Sequence, residues 1–223
     1  MRKWFLLFII AALPLAVSAD EVKYGDLWYN TYEEDATTGT AAYAEVISSR
    51  DYSYSGDITI PASIVYNEYT YPVTAISERA FESCSEVTSV VISEGIKTIG
   101  LCAFMSCNNM TSVMIPSSVT QIDPWAFSFC NNLVSVISKI DVPFEIDQSV
   151  FSLNNEEVEG KTVYTPSQAI LYVPEGKTSS YQSFTGWNMF IDILEGDLIE
   201  GTDGTFNYAC ATGSKVATLV SGD

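Results

Sequence analysis

The sequence contains no histidine, only 10 Lys and Arg against 28 Asp and Glu, and no apolar run that approaches a membrane span. Each shortage excludes something. Without His there is no Ser-His-Asp or Cys-His activation of a nucleophile, no His-ligated metal and no ordinary switch near neutral pH. A formal charge of −18 repels phosphate backbones and anionic lipid heads, so nucleic acids and membrane surfaces are not expected partners. No G-x-S-x-G, P-loop or G-x-G-x-x-G is present. The acidic clusters Glu33-Glu34-Asp35 and Glu156-Glu157 with Glu159 lack the spacing of a calcium loop and read as solvated charge. Nothing fixes two carboxylates across a cleft, which leaves a carbohydrate-active enzyme as a remote alternative. No catalytic residue, cofactor or metal is therefore expected.

What is present begins with an address. Arg2 and Lys3, the apolar run Trp4 to Ala12, Pro14 and the small-residue triplet Val17-Ser18-Ala19 have the layout of a signal peptide, 1–19, cleaved after Ala19. Its removal takes two basic residues and moves the formal charge from −18 to −20. No Cys follows the cleavage site, so a lipid-anchored N-terminus is not supported. The expected product is exported: secreted, periplasmic or on the surface of a bacterium, with no membrane insertion after cleavage. Apolar residues make up 47% of the chain, enough to argue against disorder despite the charge.

The middle of the chain repeats. Ala80-Phe81, Ala103-Phe104 and Ala126-Phe127 are 23 residues apart, and so are Cys84, Cys107 and Cys130. The same step relates Ile76, Ile99 and Ile122; Val87, Met110 and Leu133; and Val90, Val113 and Val136. A further copy carries one extra residue, with Val142, Ile146 and Phe151 in register, and an irregular half-copy precedes the set from Ile60-Pro61 to Val73 and Ile76. Val87, Val90 and Ile92 fit the strand core of a leucine-rich repeat, and the repeat length suits that class. A unit this small cannot bury its apolar positions alone, whereas stacked copies form ladders about 4.8 Å apart along a parallel sheet. Phe81, Phe104, Phe127 and Phe151 are then the spine of the core. The fold expected is a repeat solenoid, mainly β, with short helical or irregular turns and a cap at each end.

Segments such as AFESCSEVTSVVISEGIKTIG and AFMSCNNMTSVMIPSSVTQID resemble the BspA-like leucine-rich repeats of surface and secreted bacterial proteins. YSGDITIPASIVYNEYTYPVTAI, 54–76, resembles the N-terminal lead-in of that family, and LYVPEGKTSSYQSFTGWNMFIDILE, 171–195, its usual exit. The resemblance implies adhesion to a host or bacterial surface. The expected division is a signal peptide at 1–19, an N-terminal cap with the first lead-in at 20–72, repeats at 73–151, a C-terminal cap at 152–197, and a linker with the start of an incomplete second module at 198–223. A strand is expected within Ala42–Ile47, a polar loop over 154–160, and a short helix from Thr178 to Trp187 that lays Tyr181, Phe184 and Trp187 on the last coil as a lid.

Two groups of residues invite a functional reading. Cys84, Cys107 and Cys130 stack in adjacent coils; buried free thiols suit their parallel directions best, with a disulfide between neighbours as the alternative and a metal site behind it. Cys102 and Cys210 lie off the ladder. The second group is on the sheet. If Val90 and Ile92 point inward, alternation turns Ser89 and Val91 outward, with Ser112 and Met114, then Ser135 and Ile137, above them. Val91, Met114 and Ile137 are read as an exposed apolar strip beside a row of hydroxyls, a partner-binding surface for a protein or a glycan. The alternatives are that β-branched residues merely suit strands, and that the chain is a spacer in a larger surface protein.

Overall fold

The computed structural model describes residues 19–36, 39–49, 54–199, 208–211 and 217–219. The expected leader, apart from Ala19, and most of the expected second module lie outside these.

The eight strands of the wide sheet come from successive coils or follow them. β4 (Gly56–Ile60), β7 (Val87–Ile92), β9 (Ser112–Ile115), β11 (Ser135–Ser138), β14 (Ser167–Val173) and β15 (Phe190–Ile199) lie side by side, all parallel. β16 (Tyr208–Ala211) and β17 (Ala217–Leu219) continue that sheet antiparallel at its C-terminal edge. The register pairs Ile58, Val90, Val113, Val136, Leu171 and Ile193 across the six parallel strands. This column faces the core and is buried throughout. The ladder inferred from spacing is therefore observed, and the chain has the leucine-rich-repeat fold.

A second, narrow sheet closes the other side of each coil. β6 (Tyr69–Ile76), β8 (Thr98–Ile99) and β10 (Gln121–Ile122) pair in parallel, carrying the Ile76, Ile99 and Ile122 ladder. The N-terminal cap extends this sheet: β1 (Asp20–Tyr24), β2 (Leu27–Tyr32) and β3 (Tyr43–Ile47) form an antiparallel meander whose last strand pairs with β6. Tyr54 ties the cap to the first coil, donating its hydroxyl to Ile47 O at 2.8 Å while accepting the Trp28 N–H at 2.9 Å. β5 (Ser63–Tyr66) folds back on β6 as a hairpin.

Between the sheets the phenylalanines stack. Ring centroids lie 4.7 Å apart for Phe81–Phe104, 5.1 Å for Phe104–Phe127 and 5.0 Å for Phe127–Phe151, with interplanar angles of 9°, 3° and 2°. Tyr54 starts this spine, and Phe190 with Trp187 ends it. Burying each such ring is worth about 1.5–3 kcal/mol, and the repeat length places each one in van der Waals register with the next. The cysteines run alongside. Cys84, Cys102, Cys107 and Cys130 are free and buried. The Cys107 and Cys130 thiols donate to Phe81 O and Phe104 O at 3.1 and 3.2 Å. Burial pushes all four thiols up, Cys130 to about 12.

The segment joining the sheets is neither helix nor strand, and its hydrogen bonds alternate. The N–H groups of Ala80, Glu82 and Cys84 bond three residues back in their own coil. Those of Arg79, Phe81 and Ser83 bond Leu101, Ala103 and Met105 O in the next coil. The following coil repeats this, from Ala103, Met105 and Cys107 inward and from Cys102, Phe104 and Ser106 onward. Every second amide thus holds the turn and the others hold the stack, so no buried donor is left over. The geometry requires left-handed residues at two columns: Arg79, Cys102 and Trp125 (φ 58°, 56° and 64°), and Ser83, Ser106 and Phe129 (φ 60°, 63° and 60°).

The C-terminal cap matches the expected lid. α1 (Thr178–Ser183) and a single 3-10 turn at Trp187–Met189 bury Tyr181 and Trp187 completely, and Phe184 packs beside them. The Tyr181 hydroxyl reaches Ile140 O at 2.8 Å, and the Trp187 indole donates to Phe144 O at 2.8 Å. Residues 154–160, expected as a loop, are instead part of a hairpin: β12 (Asn154–Val158) pairs antiparallel with β13 (Lys161–Thr165). Glu159 and Gly160, at φ 52° and 75°, supply the two left-handed residues that a tight two-residue turn needs.

Candidate partner-binding face

The wide sheet has an inner and an outer face, and the outer one carries two columns. Asp57, Ser89, Ser112, Ser135, Ile170 and Asp192 are in register in one; Thr59, Val91, Met114, Ile137, Tyr172 and Leu194 in the other. All six residues singled out from the sequence, Ser89, Val91, Ser112, Met114, Ser135 and Ile137, fall on this face as alternation requires. The apolar column is longer than the repeats alone suggest, because Tyr172 and Leu194 continue it onto strands beyond the 23-residue register.

The exposure expected of the strip is corrected. Met114, Ile137 and Tyr172 are only 4%, 3% and 4% exposed and form an apolar cluster separate from the main core. Val91, Ile170 and Leu194 pack against it, partly buried. Ser112 and Ser135 are buried as well, while Ser89 is partly buried. Alternation predicts the direction in which a side chain points but not what lies against it; large neighbours one strand away, Met114 on one side and Tyr172 on the other, flank Ile137.

Two polar features mark the face. At its N-terminal end the Asp57 carboxylate accepts hydroxyls of Ser89 and Thr88 at 2.6 and 2.7 Å, which hold its pKa below the usual carboxylate range. In the middle, the Ser135 Oγ is buried and finds no hydrogen-bond partner among the described residues. At the C-terminal end an open cleft of about 220 Å³ lies beside Ile137 and Tyr172, lined also by Lys139 and Pro174.

Among the described residues no group of three or more acidic or cysteine side chains is placed to hold a metal ion, and no helix is long and apolar enough to cross a membrane. Fold and site define the class: a leucine-rich-repeat solenoid with a buried spine and a decorated outer face. A model of the BspA-type leucine-rich repeat region, in six copies, matches residues 53–166. The chain belongs to that family.

Among solved structures, the chain is similar to a leucine-rich repeat protein from Bacteroides capillosus, at 26% identity over 57% of this chain and 87% of that one, with a TM-score of 0.48. It is also similar to a leucine-rich cell surface protein from Faecalibacterium prausnitzii, at 24% identity and a TM-score of 0.50. That match covers 82% of this chain and 44% of the other, so this chain spans less than half of that protein's length. No curated protein matches.

Proposed function

We propose that the chain is an exported, non-catalytic bacterial binding module that seats an apolar segment of a protein partner along the outer face of its wide sheet. The observation that carries this reading is the unbroken apolar column Val91–Met114–Ile137–Tyr172–Leu194. A solenoid is held together by its inner ladder, so the outer face can be polar throughout without cost to the fold. Here one column is apolar along five strands, partly exposed at Val91 and Leu194 at its two ends and buried at Met114, Ile137 and Tyr172 between them. Aliphatic side chains in line along successive strands suit an apolar peptide better than a sugar.

Family membership and the likeness to a cell surface protein support export, as do the layout of residues 1–19 and the acidic surface. The absence of His and of nucleophile or phosphate-binding motifs supports a role without catalysis.

The experiment uses a synthetic array of extended, aliphatic-rich peptides with scrambled polar controls. Val91 and Leu194 are only partly buried, so Val91→Asp with Leu194→Asp charges both ends of the column while leaving its centre intact. Peptide capture at micromolar affinity that falls at least tenfold in the double variant, with an unchanged melting midpoint, supports the reading. Equal capture by the variant, or none by the native protein, overturns it.

A further inference from the structure

Three aromatic side chains meet where the segment joining the two sheets passes the β12–β13 hairpin. Trp125 and Phe129 lie nearly parallel, centroids 6.1 Å apart at 23°, and Tyr164 of the β12–β13 hairpin stands against Trp125 edge-on at 5.7 Å and 68°. All three are partly buried.

The scaffold does not ask for these residues. Trp125 occupies the column held by Arg79 and Cys102 in the preceding coils, and Phe129 the column held by Ser83 and Ser106. Those columns are left-handed, a conformation that costs an L-residue roughly 1–2 kcal/mol and suits bulky side chains least. The hairpin that supplies Tyr164 interrupts the repeat and contributes nothing to either buried cluster. Two departures from the repeat thus converge on one place.

Tyr164 also lines an open cleft of about 440 Å³ with Glu145, Ile146, Asp147, Gln148 and Thr185. Asp147 Oδ1 accepts the Ser149 N–H at 2.8 Å, and the Ser149 hydroxyl accepts the main-chain N–H of Trp125 at 3.1 Å. Tyr164 is the ring shared by the cleft and the aromatic group, and Ser149 ties the two backbones together. Glu145 and Gln148 are exposed, and no basic residue lines the cleft.

We propose that this corner is a binding site for a neutral sugar residue of a glycan, N-acetylated amino sugars included. It deepens the reading of the chain as a binding module but uses a different surface. A pyranose ring presents weakly polarised C–H bonds on one face and hydroxyls around its rim. The partly exposed Trp125–Phe129 stack and the Tyr164 ring, which also lines the cleft, offer aromatic surface to the first. Glu145, Asp147, Gln148 and Thr185 offer acceptors and donors to the second. The negative lining rejects anionic ligands, and a cleft of this size holds one or two sugar rings. An ammonium group calls instead for aromatic faces converging around a point, which a stacked pair with one perpendicular ring does not supply.

The test is titration of the full chain with cellobiose, N,N′-diacetylchitobiose and tetramethylammonium, read by tryptophan fluorescence and calorimetry. Two variants copy residues the fold already accepts at the same columns: Trp125→Arg, as at Arg79, and Phe129→Ser, as at Ser83 and Ser106. Tyr164→Ala removes the perpendicular ring. Millimolar or tighter binding of a disaccharide, lost at least tenfold in Trp125→Arg and in Tyr164→Ala with melting midpoints retained, supports the site. No binding of either disaccharide, equal binding by both variants, or loss seen with tetramethylammonium alone overturns it. The Val91→Asp/Leu194→Asp protein separates this result from the previous one, because it is expected to bind the sugar as the native chain does.

Discussion

The inner and outer faces of one sheet follow different rules. On the inner face Val90, Val113 and Val136 are the same residue in three strands, and the phenylalanines beside them stack at 4.7–5.1 Å. A ladder position has the same neighbour above and below in every coil, so one size of side chain fits and any change leaves a gap on both sides. On the outer face, Val91, Met114, Ile137 and Tyr172 differ in size and shape from strand to strand. No stacking rule fixes them. Uniform columns encode the scaffold, and variable ones are free to encode recognition.

The widest separation between the two faces should appear on truncation. Phe104→Ala empties a slot flanked by parallel rings on both sides, and the rigid stack cannot collapse into it. A loss of about 3–5 kcal/mol is expected, measured by chemical denaturation at pH 7. Val91→Ala on the outer face, partly buried and at the end of its column, should cost well under half of that. Equal losses would erase the distinction.

A second break targets the end of the stack. Gly186 sits at φ +82°, and a Cβ there would fall 2.4 Å from Ile146 Cγ1 and 2.5 Å from its carbonyl oxygen. Gly186→Ala therefore strains the backbone and pushes the lid off the last coil, at a cost of about 1–3 kcal/mol. The loosening should be local. Hydrogen exchange is expected to quicken around Tyr181 and Trp187 while the Phe81–Phe104 coils keep their protection.

The thiol ladder sharpens the picture of the interior. Burial raises Cys130 from 9.0 to about 12, so the folded chain keeps its proton where the unfolded chain loses it. The sign follows: the contribution is complete below the unfolded pKa of 9.0 and is lost as pH rises through the window up to about 12. One such thiol changes stability by up to about 1.4 kcal/mol per pH unit in that window. Cys130→Ala should flatten the alkaline fall measured by denaturation at pH 8.5 to 11. At neutral pH a thiol-reactive dye should label none of Cys84, Cys102, Cys107 and Cys130 until the chain unfolds.

How much of this was legible in advance depended on whether a position repeats. The Phe, Cys, Ile and Val ladders could be read from spacing because stacking makes each coil report on the next. The alternating turn could not, since Arg79, Cys102, Trp125, Ser83, Ser106 and Phe129 share no residue type that announces a left-handed backbone. Residues 154–160 read as a polar loop because their alternation has no apolar face. The Glu159-Gly160 pair flanked by extended residues was the signal for a hairpin, and Tyr164 was the one side chain in it with a partner ring on the solenoid. The outer column was placed on the right face but given the wrong exposure. Its neighbours Tyr172 and Leu194 come from strands outside the period.

The smallest expected effect is a change of sign between two serines three residues apart. Ser138 occupies the inner register position of Ile92 and Ile115, and its hydroxyl is satisfied by the Tyr181 hydroxyl at 2.6 Å. Ser135 is on the outer face, buried, with no partner for its hydroxyl among the described residues. Removing a satisfied buried hydroxyl forfeits a hydrogen bond and orphans its partner, whereas removing an unsatisfied one relieves a desolvation cost. Ser138→Ala should therefore destabilise by about 1 kcal/mol, and Ser135→Ala should stabilise by up to about 1 kcal/mol.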